Sequence, residues 1–85
     1  MSRQIIHGGY LLRRVRRHFA LTQEEVSELS EIPLRTYQGW ELKRTEPDFS
    51  TVCYVCIEAF KLNIQEAWKL VEQLDEHKGT STRVG

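Results

Sequence analysis

Eighty-five residues hold one small domain and no room for a second. Apolar residues make up 40% and charged residues 28%, and twelve basic side chains balance twelve acidic ones. A formal net charge of zero excludes a purely electrostatic, histone-like binder of nucleic acid, but it hides an asymmetry: residues 1–20 carry five arginines and no acid, and the remainder carries net −5. No apolar run approaches the ~18 residues that cross a bilayer. The opening MSRQIIHGG lacks a signal-peptide pattern. Two cysteines are too few for a disulfide scaffold, which points to a reducing cytoplasm.

Five helices and no strands are expected, because no stretch alternates β-branched and polar residues as a half-buried strand does. Residues 1–8 read as an N-terminal arm. The first helix covers roughly 9–19, with Leu11, Leu12, Val15 and Phe19 at helical spacing and arginines between them. The second runs about 22–29. Thr22 and Glu25 have capping-box spacing, Gln23 lies at its exposed start, and Val26 and Leu29 face the core. SEIP then breaks the helix, since Pro33 lacks an amide hydrogen and disfavours helix in Ile32. Proline suits the first position of a new helix, so the third runs from Pro33 to about Glu41. Ile32 plugs the gap between the two. Tyr37 and Trp40 share one face, and Leu34, Arg35, Gln38 and Gly39 lie on or near the other. The fourth helix spans about 48–61 with Asp48 as cap, and is the most apolar. The fifth spans about 64–76, capped by Asn63 with Glu66 at capping-box spacing, and its stripe is Ile64, Ala67, Trp68, Val71 and Leu74. The polar ending, residues 77–85, reads as a flexible tail, leaving 9–76 as the domain.

Two short helices joined by a tight break are what a reading head for duplex DNA requires. One lies across the backbone while the other enters a major groove about 12 Å wide. A single long helix presents only one of these surfaces.

Residues 12–67, about two thirds of the chain, resemble the lambda-repressor/Cro-type helix-turn-helix family, also called the XRE family. The resemblance is carried by LRRVR, LTQEEVSEL, IPLRTYQGWE and WELKRTEP in unbroken register, with FSTVCYVCIEAFKLNIQEA fitting the fourth and fifth helices. RTYQGWE is also similar to small phage and prophage regulators. The family implies an all-α, compact five-helix fold. It implies phosphate contacts from Thr22, Gln23, Lys43 and Arg44, and base contacts from Leu34, Arg35, Thr36, Gln38 and Gly39 of the recognition helix. Arg35 has the fork that meets guanine O6 and N7, Gln38 suits an adenine edge, and Leu34 a thymine methyl. Arg16 and Glu41 match a structural ion pair between the first and third helices. Arg13, Arg14 and Arg17 either flank phosphates or are solvated. The chain departs from the pattern at Glu31 and Lys43, where the family has turn glycines, and at Pro33, where it has a serine or threonine cap. Gly39 inside the recognition helix costs about 1 kcal/mol against alanine, and close approach to DNA is a functional reason for it.

Other patterns carry less. Cys53 and Cys56 have the C-x-x-C spacing of metal and redox sites, but they sit in an apolar helix without a second ligand pair, so core packing is the reading. His7, His18 and His77 form no ligand pattern, and no spacing suggests a nucleophile or a phosphate-cradling loop. No enzyme, metal, cofactor or small-molecule ligand is expected. One such module makes too few base contacts to find a unique site, so a homodimer on a palindromic operator is expected, with Trp68, Val71 and Leu74 as its interface. The expected function is a small repressor acting in the cytoplasm and on the nucleoid of a bacterial or phage-infected cell. The alternatives are a phage excision or recombination directionality factor, and an antitoxin or other protein-interaction module on the same fold.

Overall fold

The structure, a computed structural model, describes residues 7–84, with side chains described through Glu76. Residues 1–6 of the expected arm, Gly85, and the side chains of the expected tail lie outside the described residues. All regular structure among the described residues is helical: α1 Gly8–His18, α2 Gln23–Ser30, α3 Leu34–Glu41, α4 Phe49–Val55 with a π-helical continuation Cys56–Phe60, and α5 Ile64–Val84.

Local chemistry sets most helix starts. His7 caps α1, its Nδ1 accepting from the Gly9 N–H at 3.0 Å. Thr22 and Glu25 form the reciprocal capping box of α2: Glu25 N–H donates to Thr22 Oγ1 at 3.0 Å, and Thr22 N–H donates to Glu25 Oε1 at 2.7 Å. Asn63 and Glu66 repeat it on α5 at 2.8 and 2.9 Å. Asp48 accepts from the Thr51 N–H at the start of α4, and the Thr51 side chain together with that N–H holds its carboxyl below the usual range. Pro33 is the N-cap of α3 rather than its first residue, and α3 has no side-chain cap.

The helix ends are less orthodox. Ala20, Glu31, Lys43 and Lys61 all adopt left-handed φ of 58 to 64°, and none is glycine. Each Cβ there costs roughly 1 kcal/mol, so other bonds must hold these turns. At the break between α2 and α3, Ile32 N–H donates to the Ser27 carbonyl at 3.2 Å, and Ser27 Oγ donates back to the Ile32 carbonyl at 2.6 Å. Glu31 therefore occupies the conformation that glycine fills more cheaply, and the turn is retained. Ile32 packs half-buried against the core. After α3, the Arg44 N–H closes on the Gly39 carbonyl at 2.9 Å, which keeps the loop left-handed at Lys43.

Leu11, Leu12 and Val15 of α1, Val26 of α2, Tyr37 and Trp40 of α3, Val52, Val55, Cys56, Ala59 and Phe60 of α4 and its continuation, and Ala67 and Val71 of α5 make one core. Gly9 brings α1 against α3: a Cβ there would lie 1.8 Å from the Trp40 carbonyl oxygen, so the position admits only glycine. Four expectations change. Leu29 is 46% exposed rather than core-facing. Phe19 lies past the end of α1 and is half open, though it stacks on Phe60 at 6.2 Å. The fourth helix widens over its last turn, with Lys61 and Leu62 N–H both reaching the Cys56 carbonyl; nothing in FSTVCYVCIEAF marks the change. The backbone of α5 runs on to Val84 instead of ending near Glu76. Gly79 weakens that stretch, but no proline stops it.

One buried polar contact fixes α1 to α3. Arg16 Nε donates to Glu41 Oε2 at 2.7 Å and Arg16 Nη2 to Glu41 Oε1 at 2.9 Å, while Nη1 donates to the Leu21 carbonyl at 2.9 Å. The Tyr37 hydroxyl faces the same carboxylate from the core without a well-formed hydrogen bond. Burial pushes Glu41 up, but the hydrogen bonds from Arg16 and Gln23 and the facing Tyr37 hydroxyl together outweigh it and hold the carboxyl below the usual range. The group binds its proton more weakly folded than unfolded. Its stabilisation is therefore present above the ordinary glutamate value, about 4.3, and is lost as pH falls through the lower folded value. At neutral pH, Glu41→Gln should cost on the order of 3 kcal/mol, since it leaves Arg16 buried without its counter-charge. Urea denaturation from neutral to acid pH should show the gap between wild type and this variant closing below about pH 4.3; a gap constant across the acid range contradicts this linkage.

Candidate nucleic-acid interface

α2 and α3 together build a two-sided platform. On α3, Tyr37 and Trp40 turn inward, fully or nearly fully buried, with ring centroids 6.1 Å apart edge to face. That anchoring turns the other side of the helix outward. Arg35 and Thr36 are exposed, while Leu34, Gln38 and Gly39 are half-buried at the edge. Among the described residues, Arg35 has no hydrogen bond or ion pair within the chain, so its guanidinium has five unused donors. At Gly39 an added Cβ meets, among the described residues, only Thr45 Oγ1 at 3.9 Å, and φ is ordinary. Nothing in the packing of the described residues requires glycine there.

The start of α2 flanks this face. The Thr22 hydroxyl is engaged as cap acceptor. Gln23 is half-buried rather than exposed: its Nε2 donates to Glu41 Oε1 at 2.9 Å, and its Oε1 accepts from Gln38 Nε2 at 3.2 Å. A polar chain thus runs from Arg16 of α1 through Glu41 and Gln23 to Gln38 on the rim of α3. The sequence reading paired Arg16 with Glu41 but missed both glutamine links. From sequence each glutamine is expected outward alone, and Gln23 lies 15 and 18 positions from its two partners, so no local spacing marks either link.

On the other flank stands the loop after α3. Arg44 is exposed and has no ion pair among the described residues. Lys43 is exposed and its Nζ lies 5.7 Å from the ring centroid of Tyr10, a cation–π contact that tethers the loop to α1. The Tyr10 hydroxyl donates to Asp75 of α5 at 3.0 Å, and Arg14 pairs with the same carboxylate at 2.9 Å. Arg14 is therefore part of a surface link between α1 and α5, whereas Arg13 and Arg17 are solvated.

Val71, expected at a dimer interface, is 0% exposed in the core, so it has no surface to offer a second copy. Trp68 and Leu74 are half-buried, and Trp68 Nε1 donates to Glu72. Cys56 is fully buried; burial, followed by the nearby Cys53, pushes its thiol up to about 12, which leaves it a small core hydrophobe and an unreactive one. No helix among the described residues is long and apolar enough to cross a membrane.

Comparison with curated proteins and with solved structures gives no significant match. Residues 12–53, from the buried face of α1 to the middle of α4, match the model of a family described as helix-turn-helix. That span contains the α2–turn–α3 unit, the Arg16–Glu41 pair and the basic loop, in the order the geometry requires. The chain carries a DNA-binding helix-turn-helix domain of the Cro/lambda-repressor type, the XRE family, within an all-helical fold.

Proposed function

We propose that this protein is a sequence-specific regulator of transcription, a small repressor that occupies a palindromic operator as a homodimer. α3 lies in the major groove, and Leu34, Arg35, Thr36, Gln38 and Gly39 meet base edges. Thr22 and Gln23 at the start of α2, and Lys43 and Arg44 in the following loop, hold the phosphates on either side. The observation that carries this reading is the two-sidedness of α3: an aromatic pair locks the inner face, while Arg35, with no partner among the described residues, stands on the outer one. Gly39 supports it, since the missing side chain clears space on the outer side and serves no contact among the described residues. The protein works on DNA in the cytoplasm, and Trp68 and Leu74 of α5 remain the residues for pairing with a second copy.

Arg35→Ala should weaken the selected duplex by about 1–3 kcal/mol and relax preference at one base pair. Lys43→Ala should weaken all sequences alike and lower the salt slope by about one unit. Titrations of both variants against cognate and scrambled duplexes at several salt concentrations separate the two roles. Uniform loss from both would remove Arg35 as a base reader.

Sedimentation of the wild type should give a dimer, and Trp68→Ala should shift it toward monomer. A wild type that sediments as a monomer with and without duplex ends the dimer proposal.

A further inference from the structure

Gln38 sits at the end of a polar chain whose other end is a buried charge. Glu41 is 9% exposed and paired with Arg16, so at neutral pH its oxygens only accept. Gln23 can meet that carboxylate only with its NH₂ group, and its Nε2 lies 2.9 Å from Glu41 Oε1. This turns the Gln23 carbonyl oxygen toward α3, where it accepts from Gln38 Nε2 at 3.2 Å. The polarity of both amides is thereby dictated by the carboxylate, although an amide on an open surface flips freely between its two orientations.

One N–H of Gln38 is consumed by this bond. Its remaining capacity is one N–H and the Oε1 acceptor, and neither has a partner among the described residues. One donor beside one acceptor matches the major-groove edge of adenine, which offers N7 as acceptor and N6–H as donor. Guanine offers two acceptors, O6 and N7, and needs two donors. An untethered glutamine has two N–H groups to give; the tethered one does not, and its oxygen would face guanine O6 in repulsion.

Resting on the DNA-reading role proposed above, we infer that Gln23 and Glu41 are specificity determinants: they hold the Gln38 amide in the polarity that accepts adenine and rejects guanine. Gln23 thus has a role in base discrimination separate from any phosphate contact. The phosphate contact changes affinity for every sequence equally, whereas the tether changes the ratio between two bases.

The test measures that ratio. Duplexes are first selected from random DNA with the wild-type protein, and the base pair whose preference disappears in Gln38→Ala is identified. Wild type, Gln38→Ala and Gln23→Ala are then titrated against the selected duplex and its adenine-to-guanine variant at that pair. Wild type should favour adenine by roughly tenfold. Gln23→Ala should bring the ratio to about twofold or less, leave preferences at the other pairs intact, and lower affinity for both duplexes. Gln23→Met, which keeps length without polarity, should behave the same way and serves if the alanine variant melts early. A Gln23 variant that keeps the tenfold ratio overturns the inference while leaving Gln38 as a reader. Loss of no preference in Gln38→Ala, with other pairs still discriminated, also overturns it. A wild type that discriminates at no pair overturns the DNA-reading role itself.

Discussion

Glu41 is set in the last turn of α3 with its carboxylate turned inward, where Arg16 holds both oxygens. Electrostatically this is a poor place for an acid, because the carbonyl end of a helix carries partial negative charge. Desolvation adds to the cost. The pair is satisfied only with α1 and α3 in one relative position, since the guanidinium also donates to the Leu21 carbonyl in the turn ahead of α2. Three helices are therefore registered by one side chain. Buried pairs of this kind are weak sources of net stability, and replacement by apolar residues of similar volume is often neutral. Their contribution is positional: the arrangement that satisfies Arg16 is the one that leaves Arg35 and Thr36 facing outward.

The rest of the platform follows from this registration. Tyr37 and Trp40 fill the space behind α3, and Gly9 allows the start of α1 to press against the carbonyl of Trp40. The same carboxylate then reaches toward the surface through Gln23 and Gln38. Glu41 thus anchors α1 to α3 and also, in the proposed reading, orients a base-reading side chain. On the far side, Tyr10 ties Lys43 of the basic loop to Asp75 of α5, so the loop is steadied by the body of the domain.

Much of this was legible in the sequence, and unevenly. Thr22–Glu25, Asp48 and Asn63–Glu66 gave the helix starts because capping is local: a side chain three residues from its target appears as a spacing. Helix ends were harder. Their usual mark is glycine, and four ends here use Ala20, Glu31, Lys43 and Lys61, with Ser27 supporting the turn at Glu31 through a bond that no composition rule displays. The widened turn at Cys56–Phe60 had no signal either. For the candidate interface, periodicity separated Tyr37 and Trp40 from Arg35 and Gln38, because helical faces follow directly from position. Periodicity also placed Val71 on the apolar stripe of α5 but could not say whether that stripe met the protein's own core or another copy. It meets the core. The links from Gln23 to Glu41 and from Gln38 to Gln23 join residues 18 and 15 apart, and only the fold brings them together.

The most direct test separates position from stability. Arg16→Met and Glu41→Leu should be combined in one chain, and the double variant's stability and its affinities for the selected and a scrambled duplex measured side by side. The double variant should fold to within about 2 kcal/mol of wild type and largely lose its discrimination between the two duplexes. A double variant that folds and still discriminates as wild type does would contradict the claim that this ion pair sets the reading face.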